Sequence, residues 1–160
     1  MKNNKVSLVD MYDIMVEMLA SGKTVTFNPA GRSMLPTIHD KDDRIVLTKV
    51  IEPLKRYDLP LYRRDNGQFI LHRVISVNTD GTYNMCGDNQ WTLERGINHD
   101  QIIGLVIKIE RRGKEFSVDN WLYKFYVKIW VAIMPLRHLV IGGIQKVKKI
   151  LALNIYKPPS

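Results

Sequence analysis

Ser33 stands in the stretch GRSMLPT, residues 31–37. A serine hydroxyl is a poor nucleophile until a neighbouring base takes its proton, so its chemistry depends on a partner elsewhere in the chain. Four histidines are available: His39, His72, His99 and His138. His39 and His99 lie in polar stretches with loop character and read as solvated side chains, while His138 belongs to a basic tail. His72 sits inside FILHRVISV, where alternating side chains put it on one face with Ile70 and Val74. An imidazole among aliphatics needs a polar partner, and an ordinary pKa of about 6.5 suits a general base near neutrality. Taken by itself, His72 reads as a core histidine satisfied by a backbone carbonyl. Ser33, between Gly31 and Pro36, equally reads as a turn serine.

A third group stands in CGDNQWTLERG, where Asp88 follows the end of a strand pattern and Glu94 comes six residues later. Either carboxylate is able to orient an imidazole; the plainer alternatives are an Asp turn residue and a solvated glutamate. Serine, histidine and acid in this order form a candidate triad, which geometry rather than spacing decides.

The elements that must position these residues divide the chain in three: a helix over 1–22, a β domain over 23–112 and a basic helical tail over 113–160. Leu8, Met11, Met15, Met18 and Leu19 fall at helical spacing within Val6–Ser21, and Gly22 is a stop signal. KTVTFNP then reads as a strand. RIVLTKV, LPLYRR, QFILHRVISV, GTYNMCG and QIIGLVIKIE follow, rich in β-branched and aromatic residues, with RDNG and NTDG as hairpin breaks. Strands without helical patterns between them predict a mainly β, antiparallel domain.

From Asp119, a candidate N-cap, the pattern is helical. Leu122, Phe125, Ile129, Ala132, Leu136, Val140, Ile144, Val147 and Leu151 keep an apolar stripe. Pro135 is expected to break the helix, and Gly142–Gly143 to weaken it again. Residues 1–104 hold 13 Lys+Arg and 13 Asp+Glu. Residues 105–160 hold 11 against 3, so the whole net charge of +8 lies in the tail. Such a patch suits phosphates of nucleic acid or of lipid headgroups. In the window Tyr126–Ile144, Lys128, Arg137 and His138 oppose a membrane span, because each central Lys or Arg costs about 2.5–3.5 kcal/mol. The two readings of the tail are a helix lying in an anionic membrane interface and a helix packed on the β domain. Asp10, Asp13 and Glu17 interrupt any apolar core of a signal peptide. Cys86 is the only cysteine, so neither an internal disulfide nor a multi-cysteine metal site is expected.

GRSMLPTI, ILHRVI and CGDNQ together resemble the serine endopeptidase superfamily of type I signal peptidases and self-cleaving SOS repressors, over about Val25 to Ile109. The resemblance implies a signal-peptidase-like fold with Ser33 as nucleophile and His72 as base, in the histidine form of endoplasmic-reticulum, archaeal and some Gram-positive members. It implies Asp88 or Glu94 as the acid, with Glu94 slightly favoured, and no metal or organic cofactor. DDRIVLTK and YDLPLYRR resemble weaker family boxes, with Asp42 and Tyr57 in place of the usual glycines. Gly31 stands where signal peptidases often carry a Ser or Thr for the oxyanion, which shifts that role to backbone N–H groups such as that of Ser33. The N-terminal membrane anchor typical of signal peptidases is not read in this sequence. The expected partner is a peptide or protein substrate, with an anionic membrane surface a possible partner for the tail. The competing readings are an inactive peptide-binding module of the same fold and a nucleic-acid-binding protein. No helix-turn-helix or common RNA-binding signature supports the latter.

Overall fold

The computed structural model describes residues 8–40, 42–137 and 139. Helix α1 (Leu8–Ala20) opens the chain and buries Met15 and Leu19. It ends in a Schellman turn: Lys23 N–H donates to the Met18 carbonyl and Gly22 N–H to that of Leu19, both at 3.0 Å, with Gly22 at φ +79°.

Two antiparallel sheets follow, as the strand pattern predicts. The larger contains β1 (Val25–Phe27), β2 (Asp43–Thr48), β3 (Pro60–Arg63), β4 (Phe69–Leu71), β8 (Ile102–Arg111) and β9 (Lys114–Ser117). Strand β8 pairs with β2 along one edge and with β3, then β9, along the other. Strand β1 pairs only with β2, so it is an edge. The smaller sheet has the order β5 (Arg73–Val77), β6 (Tyr83–Cys86), β7 (Glu94–Ile97). RDNG closes the β3–β4 hairpin and NTDG the β5–β6 hairpin. Strand β9 continues the larger sheet, so the sheet runs past the expected boundary at residue 112.

The main core joins Met15 and Leu19 to Met34, Ile38, Ile45, Leu47, Leu61 and Val106. A second cluster gathers Leu54, Tyr62, Val74, Tyr83, Met85 and Ile97 between the sheets. QFILHRVISV, read from sequence as one strand, divides at His72 into β4 and β5, which belong to different sheets. Ile70 and Val74 still meet in the second cluster.

Helix α2 (Trp121–Ala132) crosses the β domain and ends before a 3₁₀ turn, Met134–Leu136, that contains Pro135. Its cap is Asn120, whose Oδ1 accepts from Leu122 N–H at 2.9 Å; Asp119, the expected cap, instead pairs with Lys124 at 2.8 Å. The packed face is Tyr123, Tyr126, Val127, Trp130 and Val131. The expected stripe of Leu122, Phe125, Ile129, Ala132 and Leu136 faces outward. The reason is chemical: the packed aromatics bring polar atoms to buried partners, the Tyr123 hydroxyl accepting from Arg73 and Trp130 Nε1–H donating to the Asp88 carbonyl, and the aliphatic stripe brings none. Tail residues 138 and 140–160, including Val140, Ile144, Val147, Leu151 and the Gly142–Gly143 pair, lie outside the described residues.

Tyr57 occupies a position the family resemblance assigns to glycine, and its φ of +82° is indeed left-handed. That conformation costs an L-residue roughly 1–2 kcal/mol. Tyr57→Gly is therefore expected to raise the unfolding free energy by up to ~1 kcal/mol, and Tyr57→Val to lower it by about 1–2 kcal/mol. Denaturant titration of both variants checks this.

Candidate active site

Ser33 lies in the turn after β1, half-buried, with Gly31 at φ +99° before it. The turn is held from both sides. Met34 and Ile38 are buried in the main core, and the buried Thr37 Oγ1 donates to Asp88 Oδ2 at 2.5 Å. Asn89 N–H donates to the Ser33 carbonyl at 2.7 Å and Asn89 Nδ2 to the Arg32 carbonyl at 3.1 Å. The loop 87–90 is thereby laced to the serine turn.

Gly87 is the point of closest approach. A β-carbon there would stand 2.6 Å from the Ser33 carbonyl oxygen and 3.1 Å from His72 Nε2, so the backbone of the serine turn and the imidazole both border this glycine. A distance under 3 Å to a backbone oxygen leaves no room for any other residue. Among the described residues, Ser33 Oγ makes no hydrogen bond with His72, and the Ser33 N–H donates to no acceptor. Catalytic contacts are often longer without substrate and tighten on binding.

His72 is 4% exposed. Its Nδ1 lies 3.3 Å from the Tyr62 hydroxyl, which donates to Glu94 Oε2 at 2.7 Å; Nδ1 and that carboxylate oxygen are 3.9 Å apart. Tyr62 thus stands between imidazole and acid. With its proton on Glu94, the hydroxyl offers Nδ1–H a lone pair, the arrangement that leaves Nε2 unprotonated. Burial pushes the His72 imidazole down to about 4, against the pull of Glu94. Glu94 itself is gripped by Arg64, Nε to Oε1 at 2.6 Å and Nη2 to Oε2 at 2.5 Å, which holds its carboxyl below the usual range. Burial and the Glu94 charge raise the Tyr62 phenol far above its ordinary value, so it remains protonated.

Asp88 has a different environment. It is 1% exposed and forms a forked ion pair with Arg73, Nε to Oδ1 at 2.9 Å and Nη2 to Oδ2 at 2.6 Å. Its oxygens are committed to Arg73 and Thr37, and its backbone carbonyl accepts from Trp130 Nε1 at 2.9 Å. Of the two acids named from sequence, Glu94 is linked to the imidazole only through Tyr62, and Asp88 braces the frame.

His39 lies beside Asp43, 3.8 Å from its carboxylate, and His99 accepts from or donates to the Tyr83 hydroxyl at 2.9 Å; neither joins the Ser33 cluster. His138 is outside the described residues. Tyr62, Arg64, Gly87, Thr37 and Arg73 are the site residues that sequence reading missed. One signal for two of them was available: Tyr62 and Arg64 are two apart around β3, so both side chains reach the same face and the same carboxylate.

A cleft of about 560 Å³ opens beside His72, walled by Arg64, Gln90, Trp91, Leu93 and Glu94. Another of similar volume lies between the loop 49–59 and α2, away from both Ser33 and His72. Among the described residues no group of three His, Cys, Asp or Glu side chains is placed to hold a metal ion. The chain matches no protein-family model and no curated protein.

Two stability experiments separate these roles. Asp88→Asn leaves Arg73 buried without its counter-charge and is expected to cost about 3–5 kcal/mol in urea unfolding, whereas Glu94→Gln, with a partly exposed partner, should cost far less. His72 supplies a pH dependence of defined sign. Between pH 6.5 and 4 the unfolded chain accepts a proton that the folded imidazole refuses. Stability therefore falls as pH drops through that window, by about 3 kcal/mol at its lower end, with no contribution above it. The difference between wild type and His72→Gln should isolate this slope.

Proposed function

We propose that this protein is a serine endopeptidase of signal-peptidase-like type. The observation that carries the reading is that the serine turn, through the Ser33 carbonyl, and His72 Nε2 both border Gly87, with Nδ1 turned to Tyr62 and, behind it, Glu94. His72 Nε2 takes the Ser33 proton as Oγ attacks a peptide carbonyl carbon. The resulting imidazolium is oriented through Nδ1–H by Tyr62, itself fixed by Glu94. The tetrahedral oxyanion collapses, the C–N bond breaks, and the leaving amine receives the proton from Nε2. Water, deprotonated by the same nitrogen, then hydrolyses the acyl ester and restores Ser33. The uncommitted Ser33 N–H is suited to the oxyanion.

Substrate would bind extended along β1, which is paired on one side only and leads directly into the serine turn. Main-chain pairing there sets register for a peptide without demanding its sequence. The preference for small residues beside the cut rests on the resemblance. One observation favours a second reading, a peptide-binding module without catalysis: Ser33 Oγ and His72 share no hydrogen bond.

A proteome-derived peptide library with mass-spectrometric detection of new termini decides between them. Cleavage that disappears in Ser33→Ala and His72→Ala supports the protease; peptides retained on the immobilised protein without cleavage support the binding module. With a base titrating at about 4, kcat/KM should hold from neutrality down to pH 5 and fall only near pH 4. Tyr62→Phe, which removes the acceptor for Nδ1–H but keeps the ring, is expected to lower kcat roughly 10–100-fold, the range typical of partners behind a reacting group, with KM little changed.

A further inference from the structure

Helix α2 is apolar nearly all round, and a helix of that kind is normally covered on every side. Its inner face is covered by the β domain. Its outer face presents Trp121, Leu122, Phe125 and Ile129, between 48% and 71% exposed, and beyond Pro135 the chain adds Leu136 and Leu139 at 55% and 63%. Lys124 and Lys128, both exposed, run along one flank of this face. No helix among the described residues is long and apolar enough to cross a membrane.

We propose that the outer face of α2 docks on an anionic lipid bilayer, with its apolar side chains below the headgroups and its lysines among them. Charge selects this occupant. Residues 105–160 carry 11 Lys+Arg against 3 Asp+Glu, and residues 140–160, which follow the face directly, hold Lys146, Lys148, Lys149 and Lys157 with no acid. A second copy of the chain, or residues 140–160 folded back, would bring the same sign of charge against the lysine flank. A nucleic acid satisfies the lysines but leaves six large apolar side chains against phosphates. A bilayer with anionic headgroups satisfies both parts of the surface. A tryptophan at the start of such a helix suits the interface, where an amphipathic ring meets both phases.

The packing gives the docking a consequence for the neighbouring site. Tyr123, Tyr126 and Trp130, on the inner face of the same helix, bond Arg73, Thr37 and the Asp88 carbonyl. Docking therefore leaves Arg73, Thr37 and Asp88, which adjoin His72, the serine turn and Gly87 in sequence, about one helix diameter, ~10 Å, from the lipid surface. The inference stands on the helix face and the charge of the tail and is independent of what Ser33 does.

Flotation of the full chain with vesicles of phosphatidylcholine, with and without about 30% phosphatidylglycerol, tests it. We expect co-flotation with the anionic vesicles, much less with the neutral ones, and weakening across a salt series. The double variant Phe125→Ser/Ile129→Ser changes only exposed side chains; it should lower partitioning at least about tenfold with an unchanged circular dichroism spectrum. Quenching of tryptophan emission by brominated lipid should fall in Trp121→Phe. Ser33→Ala should bind vesicles like wild type, so loss of proteolysis and loss of docking are read separately. The proposal is overturned if neither vesicle floats the chain, or if the double variant binds as well as wild type. It is equally overturned if sedimentation shows a dimer that the double variant dissolves, or if duplex DNA retains both proteins alike where vesicles do not.

Discussion

The buried ion pair between Arg73 and Asp88 is the interaction on which the arrangement of this molecule depends. Arg73 directly follows His72, and Asp88 directly follows Gly87. Their fork, 0% and 1% exposed, fixes the two backbone positions between which the imidazole sits. Thr37 ties the serine turn to the same carboxylate. Burying two charges carries a desolvation cost of several kcal/mol per ion, and the attraction offsets it only when the remaining hydrogen-bonding capacity is filled. Here it is filled: Arg73 also donates to the Tyr57 carbonyl and the Tyr123 hydroxyl, while Asp88 accepts from Thr37. The return on that cost is geometric, since an apolar pair of equal volume would pack as well but would not hold four segments in one register.

Seen from this pair, α2 is a wall of the site as well as an appendage to the sheet. Tyr123 and Trp130 reach the pair directly, and Arg137, just past the 3₁₀ turn, donates to the Gly87 and Gln90 carbonyls. The Gly87 carbonyl also accepts from Gln90 N–H, so Arg137 adds a charged donor to a turn already closed on itself. One helix face thus supports the loop that carries Gly87, while its opposite face is left apolar and open. Helix α2 contacts the residues that directly follow His72 and Gly87.

Much of this frame was legible in the sequence. Most strands, both hairpin breaks, the end of α1 at Gly22 and the interruption at Pro135 follow from local chemistry that neighbours in sequence decide, whereas β7 and β9, short and rich in charged residues, were not read. Ser33 and His72 were legible as candidates through the resemblance of GRSMLPTI and ILHRVI, since each by itself reads as an ordinary turn serine or core histidine. The roles of the two acids were not, because each is set by an arginine far away: Arg64 is 30 residues from Glu94, and Arg73 is 15 from Asp88. The packed face of α2 was misjudged for a related reason. Periodicity finds apolar stripes, and α2 has two; only the tertiary positions of Arg73, Thr37 and Asp88 show that the one bearing hydroxyl and indole groups must turn inward. The passage of one apolar run between two sheets at His72 was hidden as well, since alternation continues unbroken through it.

The placing of Tyr62 changes what an acid can contribute at this site. A carboxylate in direct contact with imidazole stabilises the imidazolium by charge as well as by orientation. Glu94 sits 3.9 Å from Nδ1, behind a neutral phenol, with its charge largely met by the two N–H groups of Arg64. Its Coulombic pull is therefore too small to overcome burial, which is why the His72 imidazole lies at about 4 rather than above its ordinary value. The His72 imidazole is therefore neutral throughout the physiological range. Orientation runs through a chain of contacts: the phenol is fixed by Glu94, Glu94 by a two-pronged arginine, and the imidazole approaches the phenol at 3.3 Å. On the proposed mechanism, Glu94 and Tyr62 act by selecting the tautomer and holding the ring. The charge that develops on His72 during attack must then be met chiefly by the oxyanion formed beside it, a compensation that exists only once substrate is bound.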